Sequence, residues 1–234
     1  MLPAPGTLIP QVDLFPLWLS LKVAGFSTVM VVVVGLFLAY LLARKEFPGK
    51  NLLDSLITLP LVLPPTVLGY YLLVLLSRNS PLGSLYEHVT GSPLVFTWQA
   101  AVVAAFVHSA PLFVKAARAA FENVDYRYEW ASRSLGASEW KTFFRVTLPL
   151  AQRSLWALGS LCFARSLGDF GVTIMLAGNI PGKTQTLSVA IYDAVESGNG
   201  QLARVLVLII SAVALLILWP ANRLAGPHRS GWAG

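Results

Sequence analysis

The chain has 234 residues, 56% hydrophobic and only 12% charged, with a mean hydropathy of +0.66; soluble domains carry about 25% charge, so an ordinary soluble enzyme or binding domain is excluded. The net charge of +6 comes from basic residues clustered beside apolar runs, which points to orientation in a bilayer and away from nucleic acid. The single cysteine, Cys162, excludes an internal disulfide and a cysteine metal site, leaving a small buried or lipid-facing hydrophobe.

The opening MLPAPGTLIPQVDLFP has no basic n-region. The apolar run after it is too long for a signal-peptide core, so it reads as an uncleaved first span. A helix rises about 1.5 Å per residue and a bilayer core is about 30 Å thick, so a span needs about 20 apolar residues. The runs 17–43, 56–76, 94–121, 148–168 and 203–221 predict about five transmembrane helices in a single domain, 1–234, with no internal repeat. Helices are the default because lipid offers backbone N–H and C=O groups no partner. Residues 44–50, 115–145 and the tail after 221 hold eleven Lys and Arg residues, against three in 77–93 and 166–204. The excess of positive charge predicts a cytoplasmic C-terminus and an outer N-terminus.

Pro64 and Pro65 fall inside the second run. Proline removes backbone hydrogen bonds and kinks helices, and in a membrane the freed carbonyls must face protein or a water-lined cavity. Pro64, Pro65, Thr66 and Gly69 therefore read either as a pathway-lining bend or as a packing kink.

Between the third and fourth runs, residues 122–147 form a cytoplasmic loop containing EWASRSLGASEWKTFFRVTLPL. Asn123 or Asp125 can cap a helix that reaches about Leu135, with Glu129 near its positive end. Gly136 supplies a left-handed corner. Ser138 can cap a second helix, with Glu139 in its first turn, running to about Val146. Each helix is too short to span, yet carries charge among Trp130, Trp140, Phe143 and Phe144. Such a face must lie on the protein's own span ends, on lipid headgroups or on another protein.

From Pro149 to Gly178 the chain is longer than a bilayer core, and SLGDFGVTIMLAG interrupts it. The span is expected to break near Asp169–Gly171, with a short apolar piece beyond. Asp169 is an acid at a membrane edge, where such groups are often functional, or, the favoured reading, a helix-breaking turn residue facing water. Lys22 and Arg153 lie close enough to span ends to snorkel, which leaves Arg165 as the cation with a buried role. His108 reads as a satisfied packing residue. Residues 178–200 form an outer loop with a short helix near 185–196, whose return into the membrane stays open.

AGNIPGKT (177–184) imitates a phosphate-binding loop, but only three residues separate Gly178 from Gly182, where four are needed. The DFG at 169–171 has no other kinase feature beside it. No metal-ligand cluster, paired carboxylates or nucleophile–base set is found, so no catalytic residue is assigned.

Gly136 is followed by nine residues, then Val146, one residue, and Leu148–Pro149. This spacing resembles the cytoplasmic-loop signature of ATP-binding-cassette (ABC) importer permeases, Glu-Ala-Ala, three residues, Gly, nine residues, Ile, one residue, Leu-Pro. The Glu-Ala-Ala positions fall on Trp130, Ala131 and Ser132, so the glutamate is replaced and Glu129 stands one residue early. FPGK (47–50), LPLVLPPTVLGYYLL (59–73) and SLGDFGVTIMLAGNIPGKTQTLSVAIY (166–192) extend the resemblance over nearly the whole chain, toward the molybdate/tungstate permease subgroup. Sulfate permeases share a similar Gly-Asp/Glu-Phe-Gly stretch. The double proline favours molybdate.

The resemblance implies an all-α polytopic fold of the type I importer class and a homodimer forming one pathway in the inner membrane. It implies two ATPase subunits holding ATP and Mg, with no cofactor on this chain, and a periplasmic or lipid-anchored oxyanion-binding protein. It places ATPase coupling on Glu129, Trp130, Ala131, Ser132, Leu135, Gly136, Ala137 and Ser138. Pathway candidates are Pro64, Pro65, Thr66, Gly69, Arg165, Asp169 and Gly171. The rivals are a sulfate/thiosulfate permease, an ATP-independent transporter or channel, which would show intramembrane acids or inverted repeats, and a membrane-embedded enzyme.

Overall fold

A computed structural model describes residues 13–225; Arg229, counted above among the cytoplasmic cations, lies outside them. The described residues contain helices and no strand. In order they are α1 Phe15–Arg44, α2 Lys50–Val62, α3 Pro65–Leu76, α4 Pro81–Thr90, α5 Trp98–Glu122, α6 Tyr126–Ser134, α7 Glu139–Thr142, a π-helical turn Phe143–Thr147, α8 Leu148–Leu167, α9 Gly171–Ala177, α10 Leu187–Glu196 and α11 Gly200–Ala225. Three helices are long and apolar enough to cross a membrane by themselves: α1, α5 and α11. The pairs α2–α3 and α8–α9 bring the spans to five if each broken pair counts as one.

The second expected span is thus corrected. It starts at Lys50, stops at Val62 and restarts at Pro65, with Leu63 extended at φ −71°, ψ 138°. The cause is local: a residue before proline is pushed out of the helical region, and here two prolines follow in succession. Pro65 itself sits in the first turn of α3, where proline is tolerated. The fourth span breaks between Leu167 and Gly171 as expected, and α10 matches the short helix expected near 185–196. Hydropathy does not register α4, which is built from turn chemistry. Ser80 caps it by accepting from the Gly83 amide, Pro81 opens it, and Gly91 closes it in the left-handed region at φ 75°.

The helices cluster into two compact units, neither contiguous in sequence. The first draws on Met1–Phe26, Pro65–Ala105 and Leu167–Ala214; the second on Ser27–Pro64, Phe106–Ser166 and Leu215–Gly234. In the first unit α3 packs on α9. Leu187 and Ala190 of α10 cluster with Leu206 of α11, and the Leu187 amide donates to Ser20 Oγ of α1 at 2.7 Å. In the second unit Val31, Leu42, Phe113, Phe121, Phe143 and Cys162 form one buried cluster, so the cysteine is a core residue. The rings of Tyr40 and Phe121 meet Phe143 edge-on at 4.7 and 5.9 Å.

Candidate functional site

The charged loop folds as its residues predict. Asp125 caps α6 by accepting from the Arg127 amide at 2.9 Å. At the other end Gly136 (φ 83°) and Ala137 return their amides to the carbonyls of Arg133 and Ser132, at 2.9 and 3.2 Å. That pair of bonds is the Schellman ending, and it requires the left-handed conformation glycine adopts without strain. Ser138 then caps α7, accepting from the Lys141 amide at 3.3 Å. A Ser132–Thr142 hydroxyl bond of 3.0 Å ties the two helices across the corner. Beyond α7 the chain does not stop near Val146. It passes through the π-turn straight into α8, so α7 and the fourth span form one continuous rod, Glu139–Leu167. π-turns of this kind are frequent at functional sites.

Exposure divides the coupling residues. Trp130, Ala131, Leu135, Gly136 and Ser138 are exposed, with Leu135 at 89%; Ser132 and Ala137 are half-buried. Trp140 and Phe144 are exposed and stacked at 6.2 Å, whereas Phe143 turns into the core. Glu129, expected among the coupling residues, is not on the exposed surface, because its side chain is wholly buried. Its Oε1 accepts from Arg44 Nε at 3.0 Å and from the Thr147 hydroxyl at 2.8 Å, and Oε2 from Arg133 at 3.2 Å. Arg44 is itself buried: it donates to the Val124 carbonyl at 2.9 Å and stacks on the Tyr126 ring at 4.0 Å. Glu129 therefore joins α6 to the end of α1 and to the π-turn.

A second tie, outside the spans, joins Lys45 Nζ to both Glu139 oxygens at 2.7 and 2.8 Å. Hydrogen bonding to that ammonium, and then its charge, holds the Glu139 carboxyl below the ordinary carboxylate range. A third joins Asp54 of α2 to Lys115 and Arg118 of α5 at 2.7 and 3.5 Å.

The pathway candidates separate. Pro65, Gly69 and Gly171 meet in the first unit, where α3 crosses α9. A Cβ on Gly171 would stand 2.6 Å from Pro65 Cβ, and one on Gly69 would stand 2.6 Å from Met175 Cβ. Asp169 heads α9 and accepts from the Thr173 amide and hydroxyl. It is 5% exposed, which corrects its reading as a turn residue facing water: standing one residue before the N-cap Phe170, its carboxylate is turned onto Thr173. Pro64, Pro65 and Thr66 are exposed, and α2 buries no residue at all. Arg165 belongs to the second unit, where Nη2 lies 2.8 Å from His108 Nε2; His108 is thus bonded, as expected, and Arg165 Nε is buried without a partner.

Sequence reasoning missed Arg44, Thr147 and Met175. Arg44 registered only as one of several cytoplasmic cations, and nothing local marks its pairing with a residue 85 positions away. Among the described residues no cluster of His, Cys, Asp or Glu could hold a metal ion.

Residues 31–225 match the family described as binding-protein-dependent transport system inner membrane component. The molybdenum transport system permease protein ModB of Escherichia coli (strain K12) is 45% identical over 208 residues, 88% of this chain and 91% of that protein. The sulfate transport system permease protein CysT of the same organism is 36% identical over 192 residues, 82% of this chain and 69% of its own length. In fold, an inward-facing MetNI methionine ABC transporter chain superposes with a TM-score of 0.67 at 19% identity, covering 90% of this chain and 93% of that one. The chain belongs to the binding-protein-dependent transport system inner membrane component family.

Proposed function

We propose that this chain is the transmembrane permease subunit of an ABC importer and carries an oxyanion, molybdate or tungstate, across the inner membrane. The observation that carries the reading is the glycine corner: it presents Trp130, Leu135, Trp140 and Phe144 outward while Glu129 anchors it from beneath. Exposed aromatics on a rigid, charge-tied support are the make-up of a protein-binding patch. Two ATPase subunits, which bring ATP and Mg, grip this corner in two copies of the chain. A substrate-binding protein delivers the ion from the other face. The N-terminus faces outward and the C-terminus the cytoplasm, by the same positive-charge asymmetry.

The corner can transmit force because little in it can bend. A push on α7 passes along the rod into α8, and the Glu129–Arg44 pair passes it to the end of α1. Both helices carry membrane spans, so closure of the ATPases would reorient spans instead of flexing a loop. The two copies would meet along the exposed Tyr70, Tyr71 and Val74 of α3. Pro64, Pro65 and Thr66 would then line the pathway.

Molybdate is favoured over sulfate because the relative named for molybdenum transport is the more similar of the two and is covered over more of its length. The test is co-purification in mild detergent with the ATPase subunit, followed by ATP-dependent uptake of molybdate, tungstate and sulfate into proteoliposomes. Failure to hold an ATPase, or uptake without ATP, rejects the permease reading; preference for sulfate rejects only the cargo.

A further inference from the structure

We propose that the first unit holds a binding site for the phosphate of an anionic phospholipid, formed by Lys22, Lys183 and the Trp98 ring. A cavity of about 390 Å³ lies there, walled by Trp18, Phe96 and Trp98 and flanked by Gly182 and Lys183. Two amines line it, and none of its lining residues is acidic. Among the described residues neither lysine has a carboxylate partner.

The Lys22 amine is held in place, and so is the backbone that carries Lys183. Lys22 Nζ rests 3.6 Å from the centroid of the Trp98 ring, a cation–π contact that leaves its hydrogens beyond the ring to donate. Trp98 is set in turn against Phe26 at 5.7 Å. Lys183 stands on a tight turn in which the amides of Lys183, Thr184 and Gln185 all donate to the Ile180 carbonyl, at 3.0, 2.9 and 3.2 Å. Gly182 takes the left-handed conformation at φ 71° that this turn requires.

The surroundings select a lipid over a free ion. Trp18, Lys22 and Phe26 follow at four-residue spacing on α1, and the exposed stripe continues through Met30, Val33 and Phe37. An exposed apolar stripe on a membrane helix meets acyl chains. A lysine rising from it beside tryptophans lies at the depth of the headgroups. The cavity would hold more than ten waters at about 30 Å³ each, far more room than a tetrahedral ion needs. The site therefore takes the phosphate at the amines and the lipid body along the aromatic wall. This inference rests on membrane placement and not on the cargo.

Native mass spectrometry of the full-length chain in mild detergent, titrated with phosphatidylglycerol or phosphatidylcholine, tests it. The wild type is expected to retain phosphatidylglycerol in preference to phosphatidylcholine. At roughly the strength of one lysine contact each, retention falls about fivefold in Lys183→Met and about thirtyfold in Lys22→Met/Lys183→Met, and Lys22→Arg keeps it. Lys183→Met, on an exposed turn, carries the test if the α1 variant misfolds. Equal retention by wild type and Lys183→Met, or no preference for the anionic lipid, overturns the site. So does displacement of the lipid by millimolar molybdate, which would assign the lysines to the free ion.

Discussion

The glycine corner and the α3–α9 crossing are both short elements beside a broken or bent span, yet they are held by opposite means. The corner is tied by charge. Glu129, Arg44, Arg133 and Thr147 converge, and an exposed apolar patch rides above them. At the crossing, contact depends on missing side chains: Gly171 lets Pro65 approach, and Gly69 lets Met175 approach. Charge pairs fix a relation between segments distant in sequence and need not fill space. A glycine contact fixes distance and tolerates sliding, because small interfaces between membrane helices gain chiefly van der Waals packing.

The largest expected effect breaks the charged side. Glu129→Ala leaves Arg44 buried without its counter-ion, which costs roughly 3–5 kcal/mol. The thermal midpoint in detergent should fall sharply and assembly with the ATPase should be lost. Arg44→Met/Glu129→Leu should recover most of the stability, because the paired charges gain little over apolar packing. If the double variant is as unstable as Glu129→Ala, the pair is not what holds the corner.

Next comes the close approach. Gly171→Ala and Gly69→Ala each place a methyl where the neighbour stands 2.6 Å away, and overpacking of this kind costs about 1–3 kcal/mol. Transport should decline together with stability, measured by uptake and thermal melting side by side. Unchanged melting would mean that α3 and α9 separate freely, and the comparison would lose its second half.

Leu135→Ala and Trp140→Ala sharpen the comparison from the other direction. Both side chains are exposed, so the melting point should move by no more than about 0.5 kcal/mol equivalent. ATPase co-purification, by contrast, should drop at least tenfold, the scale of about 1.4 kcal/mol. Retained binding would return the patch to the lipid headgroups.

The smallest effect is the pH response of the Lys45–Glu139 tie. The folded carboxyl titrates below its ordinary range. Its contribution is therefore complete above the ordinary carboxylate pKa and fades as pH falls through the depressed value. Both groups are about half exposed, so solvent screening keeps it small. Glu139→Gln should lower the melting point slightly at neutral pH and remove the acid-limb loss, so that variant and wild type converge at low pH; an unchanged acid limb would detach the effect from this pair.

Much of this was legible in the sequence, for reasons that are local. Hydropathy located the three unbroken spans, because apolar length is a one-dimensional property. Asp125, Gly136 and Ser138 announced the corner, since caps and left-handed turns are decided within a few residues. The break at Asp169–Gly171 followed from composition in the same way. The double proline announced an interruption, but not that α2 would begin at Lys50 or bury no residue.

The tertiary structure alone decided which of these residues face inward. Glu129 and Trp130 are neighbours of similar promise in the sequence, yet one is sealed against Arg44 and the other stands open. Trp140, Phe143 and Phe144 form one aromatic group in the sequence, and the π-turn sends Phe143 alone into the core. Gly69 and Gly171 are only pathway candidates in the sequence, and the fold makes them the points where α3 and α9 approach. Capping, turn and hydropathy signals act over one or two helical turns and are written next to one another. Ion pairing and close packing join positions tens of residues apart, and only the folded chain brings them together.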